Sequence, residues 1–227
     1  MKGLTMDSLD DFHKEIMSQV EYFTPSPTLF RKLDEEWRSY LNATVSYYRW
    51  LAIAVKLLKP RRILELGSYT GGSMLCLLQE LPPDSEIISV DLERDLRFIP
   101  SEVFDDPRIR FVFGNDLDLS IYGDNLPEDI DFLFIDTEHI YQQISREWSI
   151  YKYLLKNEAI VVIDDIRLND MYKFWEELPY EKLEITRDCH DSGFGFFVFH
   201  VKFEESGQNL IKAYRASLKV MSSAAEV

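Results

Sequence analysis

Residues 62–73 read RILELGSYTGGS, and this stretch decides how the rest of the chain is read. A short apolar run breaks at Gly67, and Gly71 and Gly72 follow where the next segment begins. Glycine at these places permits a tight turn and lets a ligand come against the backbone. Strand, glycine turn and helix in this order open an α/β unit. The spacing is not the G-x-G-x-x-G of a dinucleotide site, because Tyr69 stands where the second glycine belongs. A pyrophosphate cradle is therefore disfavoured against a site for a nucleoside with a zwitterionic tail.

Downstream, nearly continuous apolar runs recur at 86–90, 109–113, 130–135, 159–163, 183–185 and 194–201. Such runs suit strands buried on both faces. Segments with helical spacing at 72–81, 140–155 and 169–178 separate most of them, which predicts a mostly parallel seven-stranded Rossmann-like α/β sheet with helices on both faces. The close spacing of the last two runs predicts an antiparallel C-terminal hairpin. Upstream, apolar positions between Ser26 and Leu58 recur every three or four residues, predicting an amphipathic helix broken once, and a weaker helix precedes Pro25. Residues 1–59 thus read as an N-terminal helical extension or cap, and 60–227 as the main domain.

Composition narrows the function. Among 227 residues, 25 Lys and Arg stand against 40 Asp and Glu, a net charge of −15 that repels nucleic acid and anionic membrane. Cys76 and Cys189 lack the paired spacing of a disulfide framework or a zinc site and read as free thiols. The first 20 residues carry acids and no signal-peptide core, and no apolar stretch reaches about 18 residues, so a cytoplasmic protein is expected.

In an open α/β sheet ligands bind at the carboxyl ends of the strands. Asp91 ends the second run, 24 residues beyond Gly67 (91 − 67), where a carboxylate can accept from ribose hydroxyls. The string ILELGSYTGGS with the later IISVDLERD resembles the cofactor half of class I S-adenosylmethionine-dependent methyltransferases. The resemblance covers about residues 60–200. It implies that Glu65, Gly67, Ser68, Tyr69 and Gly71 lie around the methionine part of the cofactor, with Ser73 near its carboxylate, and that Asp91 holds the ribose. Gly114, Asn115 and Asp116 resemble the segment bordering adenine, where Asp116 accepts from the exocyclic amine.

The fourth run ends in Asp136 and the fifth in Asp164 and Asp165. Three carboxylates at adjacent strand ends repel one another unless a positive charge sits between them. A divalent cation supplies it; hard oxygen ligands suit Mg2+, and the absence of a nearby cysteine or histidine pair weighs against zinc. The arrangement resembles the metal-dependent O-methyltransferases, and the Asp pair is closest to the sugar- and macrolide-tailoring group and the cephalosporin-hydroxylase-like proteins. The segment FIDTEHIYQQISREW resembles their F-I-D-G-D-H-x-Y pattern, with Thr137 in place of Gly and Glu138 in place of Asp. Asp136 also borders the cofactor in that reading. Two residues are candidates for the catalytic base, His139 and Glu138, and the sequence does not choose between them. His13 and His200 read as incidental, and His190 as supporting a turn.

The expected activity is methyl transfer from S-adenosylmethionine to a hydroxyl of a small-molecule acceptor. A degenerate methyltransferase fold that only binds, and a nicotinamide oxidoreductase, are the alternatives. The aromatics Tyr22, Phe23, Trp37, Tyr40, Tyr47, Tyr48 and Trp50 are expected mostly to pack the N-terminal helices onto the sheet or onto a second subunit, with a homo-oligomer left open. Tyr172, Phe174 and Trp175 are candidates for shaping the acceptor pocket, with core packing as the default.

Overall fold

Apolar runs flanked by helical segments become strands covered on both sides. The computed structural model describes residues 8–42, 46–93, 95 and 97–200. Seven strands form one sheet in the order β3-β2-β1-β4-β5-β7-β6. They are β1 (Arg62–Leu66), β2 (Glu86–Asp91), β3 (Ile109–Phe113), β4 (Ile130–Ile135), β5 (Leu155–Asp164), β6 (Lys182–Glu184) and β7 (Phe194–Phe199). Strands β1 to β5 pair in parallel, whereas β7 runs antiparallel between β5 and β6. The chain leaves one side of the sheet after β3 and re-enters beside β1 as β4, so the switch point lies between β1 and β4. Val201, the end of the last expected run, lies outside the described residues.

Side-chain alternation divides the interior into two cores. On one face, Ile63, Ile87, Phe132, Phe134, Phe194 and Phe196 pack against α1 (Leu9–Val20), α3 (Tyr47–Leu58) and α4 (Gly72–Gln79). On the other, Leu64, Ile88, Leu133, Val161 and Phe197 pack against α5 (Tyr141–Tyr151) and α6 (Met171–Glu177). Phe174 and Trp175 belong to this second core, which is the default reading of that cluster.

The helix expected between Ser26 and Leu58, broken once, starts later than the apolar spacing suggests. Residues 27–32 are turns, and α2 (Glu35–Asn42) and α3 follow as separate helices. Short polar side chains set the two helix starts: Asp34 accepts from Trp37 N (3.1 Å), and Ser46 caps α3 by accepting from Tyr48 N (3.3 Å). Lys59, left-handed at φ 49°, ends α3 before Pro60.

The N-terminal helices brace the sheet directly. Trp50 is fully buried against Phe194 and Phe196, with ring centroids 5.4 and 5.0 Å away. Its indole N–H donates to His13 Nδ1 (3.2 Å), and His13 Nε2 lies 2.8 Å from Asp188 in α7 (Thr186–Cys189). His13, expected to be incidental, therefore ties α1, α3 and α7 together. Replacing Trp50 with Ala removes this joint and leaves a cavity, for a loss of about 3–5 kcal/mol of unfolding free energy in urea titration. An unchanged midpoint would mean that the helices do not brace the sheet.

Candidate functional site

The carboxyl ends of the parallel strands are stitched by backbone bonds that run just past the ladder. Gly67 N donates to Val90 O, Gly114 N to Asp91 O and Asp136 N to Leu66 O, all at 2.8–2.9 Å. Gly67 sits at φ +84°, and a Cβ there would lie 1.9 Å from the Asp136 carbonyl oxygen. Only glycine allows the β1 turn to approach β4 this closely. Above these ends opens a cleft of about 670 Å3.

The β1–α4 loop and the end of β2 hold each other. Asp91 Oδ2 accepts from Tyr69 N (2.6 Å) and Oδ1 from Glu93 N (3.1 Å). A carboxylate has about four acceptor positions, so Asp91 keeps capacity for hydroxyls in the cleft. Gly67, Tyr69, Asp91, Asn115, Asp116 and Asp136 of the expected cofactor set line the cleft. Glu65, Ser68, Gly71 and Ser73 are not among its lining residues. Glu65 is fully buried beneath the loop, accepting from the hydroxyls of Ser73 and Ser89. Burial pushes its carboxyl up to about 7 against these two bonds. Ser73 thus ties the start of α4 to β1.

At the other end of the cleft, Asp136, Asp164 and Asp165 converge as expected, and two histidines converge with them. His139 Nε2 lies 3.2 Å from Asp136 and 3.0 Å from Asp165. His190 Nε2 lies 2.5 Å from Asp164 Oδ1, and its Nδ1 2.8 Å from Ser192 Oγ. Asp165 adopts φ 53°, left-handed for a non-glycine residue, which Asp tolerates better than most. Glu138 lies exposed on the rim. From the N-terminal helices, Glu36, Trp37 and Tyr47 complete the wall, with the Tyr47 ring 5.1 Å from His190 and Trp37 6.1 Å from Tyr69. Tyr48 and Trp50 are core residues, Tyr22 is exposed, and the side chain of Tyr40 lies outside the described residues.

The sequence reading missed His190. Nothing in the string CHDSG marks it, because antiparallel pairing that sets Phe194 opposite Asp164 is what carries the preceding turn to the cluster. His190 does support its turn, through Ser192, but it also faces Asp164.

Protonation follows from this crowding. Burial, and then the charge of Asp136, push Asp164 up to about 7 despite the His190 hydrogen bond. Burial also raises Asp136, although His139 counters it. The Asp136 hydrogen bond raises His139, and for His190 the bond and charge of Asp164 outweigh a burial effect that works against the charged ring. The compensating charge expected from a metal alone is therefore supplied in part by two imidazoles. The same groups suit a cation. Asp136, His139 and Asp165, and likewise Asp164, Asp165 and His190, each bring ligand atoms within 4.8 Å of one another. The sequence showed no nearby histidine pair and so weighed against zinc; the fold supplies one, and imidazole donors suited to zinc stand beside carboxylate oxygens suited to magnesium or manganese.

Residues 64–166 match a family described as a methyltransferase domain. Caffeoyl-CoA O-methyltransferase of Populus kitakamiensis is 29% identical over 140 residues, 56% of this chain and 56% of that protein. The chain thus spans about half the length of this curated relative. Among solved structures, methyltransferase PaMTH1 of Podospora anserina, bound to S-adenosylhomocysteine, has a TM-score of 0.60 at 16% identity, over 88% of this chain and 100% of that one. O-methyltransferase TomG of Streptomyces achromogenes, involved in tomaymycin synthesis and solved with S-adenosylmethionine, has a TM-score of 0.54 at 18% identity, over 82% and 90%. At these identities the likeness establishes the fold. Among the described residues no helix is long and apolar enough to cross a membrane.

The raised groups give stability a definite pH dependence. Glu65 and Asp164 hold protons up to about 7 in the folded protein, whereas unfolded carboxyls release theirs near about pH 4. The histidines, also raised, act in the same direction. The folded state therefore binds more protons than the unfolded chain through this window, and stability falls as pH rises. Metal-free protein melts at a lower temperature at about pH 8 than at about pH 6, and the Asp164→Asn variant shows a smaller difference. A melting temperature that rises over this interval contradicts the assignment.

Proposed function

Taking residues 64–166 as the methyltransferase domain they match, we propose that the protein transfers the methyl group of S-adenosylmethionine to a hydroxyl of a small molecule, assisted by Mg2+. One observation carries this reading. A single cleft joins Asp91 and Asp116, suited to a nucleoside, to the cluster of Asp136, Asp164 and Asp165, suited to a cation.

Asp91 accepts from the ribose hydroxyls, and the Gly67 turn keeps the loop low enough for the methionine part to lie across it. Asp136, Asp164 and Asp165 would hold the cation, with His190 buttressing Asp164. S-adenosylmethionine supplies a methyl group already activated on a positively charged sulfur. A cation held there would supply Lewis acidity that lowers the pKa of the acceptor hydroxyl. The acceptor oxygen then bonds the methyl carbon as the carbon–sulfur bond breaks, in line, with the thioether leaving neutral. We assign His139 as the base: a cation among the acids would take over the charge compensation and leave the ring neutral, with its Nε2 within about 3 Å of two of the acids around which the hydroxyl would be held. Glu138, on the exposed rim, is less well placed. Trp37 and Tyr47 form the acceptor-side wall.

The test is transfer of labelled methyl from S-adenosylmethionine to a panel of hydroxylated small molecules, with and without Mg2+. Product formation that stops on chelation and returns with Mg2+ or Mn2+ supports the reading; no product from any acceptor, with no thermal stabilisation by S-adenosylhomocysteine, refutes it. Asp91→Ala weakens S-adenosylhomocysteine binding about tenfold or more by calorimetry. His139→Ala lowers turnover by about 10²–10⁴-fold while leaving that binding intact, and an equally large effect from Glu138→Ala instead would move the base to the rim.

A further inference from the structure

Helix α5 carries Gln143, Glu147 and Tyr151 at four-residue intervals, which places them on one face. All three meet the segment after β3. Gln143 Nε2 donates to Asp116 Oδ1 (3.2 Å), and the Tyr151 hydroxyl donates to the Asp116 carbonyl oxygen (2.7 Å). Glu147 lies between them, fully buried, and does not line the cleft that Asp116 borders. Its Oε1 accepts from Gln143 Nε2 and Thr137 Oγ1, each at 2.7 Å. Its Oε2 meets no hydrogen-bond donor among the described residues, while the Asp116 carboxylate is its charged neighbour.

Two carboxylates placed together without a cation are stable when they share one proton. Burial first, and Asp116 next, push Glu147 up to about 8, so at neutral pH Glu147 carries a proton that its unpartnered Oε2 can offer toward Asp116. Thr137, the departure from the Gly of the resembled pattern, is accounted for as a donor to this buried acid. The titratable groups facing Glu147 are Asp116 from the loop after β3 and Tyr151 from its own helix, which Tyr122 meets in turn at 2.9 Å. Burial holds the Tyr151 hydroxyl well above its ordinary range, and the β4 side contributes Thr137, which does not titrate.

We propose that Glu147 is a positioning residue that holds the Asp116 carboxylate toward the exocyclic amine of the cofactor's adenine, making the cleft selective for a 6-aminopurine. This rests on the cofactor reading above. A proton shared from behind occupies one side of Asp116 and leaves its remaining lone pairs for a donor in the cleft. A carbonyl at that purine position offers no proton and meets an acceptor, so it is rejected. Above the pH at which Glu147 ionises, the two carboxylates repel, Asp116 turns away and the selection weakens.

The test uses calorimetric binding of S-adenosylhomocysteine and of its inosine analogue to the full chain, for wild type, Glu147→Gln and Glu147→Leu, at about pH 7 and about pH 9.5. Glutamine keeps a donor toward Asp116 and cannot ionise. Wild type is expected to favour the adenosine form by about tenfold or more at the lower pH and to lose much of that preference at the higher one. Glu147→Gln keeps the preference at both values, and Glu147→Leu loses it at both. Wild type and Glu147→Gln with the same pH profile, or Glu147→Leu with unchanged selectivity, overturn the inference while leaving the cofactor reading intact. Failure of wild type to bind S-adenosylhomocysteine at all overturns both.

Discussion

Three carboxylates at the ends of two neighbouring parallel strands cannot share a cleft without compensating charge. The rest of the site is arranged around that repulsion. His139, three residues beyond Asp136, reaches back to Asp136 and across to Asp165. His190 arrives from the far side of the sheet through the turn before β7 and meets Asp164. With both imidazoles in place the cluster is tolerable without a metal, and with one its oxygens are already gathered. A cation bound among these oxygens would compete with protons for them.

The opposite end of the cleft is governed by close approach rather than by charge. Gly67 lies against the Asp136 carbonyl, and the loop behind it gives the Tyr69 amide to Asp91. One glycine thereby sets the distance between the ends of β1 and β4 and links the Asp91 half of the cleft to the acid cluster. The N-terminal helices close the remaining side. Trp50 anchors them in the core beneath, while Trp37 and Tyr47 lie along the wall above. Stability of the extension and shape of the cleft wall are thus carried by different residues of these helices.

Much of this was legible in the chain. Continuous apolar runs identified the strands because burial on both faces needs no polar alternation, as in Ile130–Ile135. Asp91, Asp136, Asp164 and Asp165 line the cleft as the chain suggested, because each stands at or just past the end of such a run, where open α/β sheets form their clefts. The helix expected from Ser26 to Leu58 starts later than its apolar spacing suggests, since that spacing outweighed the local capping by Asp34. Glu65 and Ser73, read as lying around the cofactor, bond each other beneath the loop, because the period of β1 puts Glu65 on the face that α4 covers.

By itself the sequence determined the order of strands and helices, the glycine turn and the acids at the strand ends, because these depend on short-range periodicity and on chain positions a few residues apart. Only the tertiary structure decided that His190 joins Asp164, that His13 ties α1 to α3 and α7, and that Glu147 stands behind Asp116. Those contacts join residues about 26 to 175 positions apart, or hidden on a helix face. They exist because sheet pairing and packing bring distant segments together, where a buried polar group must find its partner.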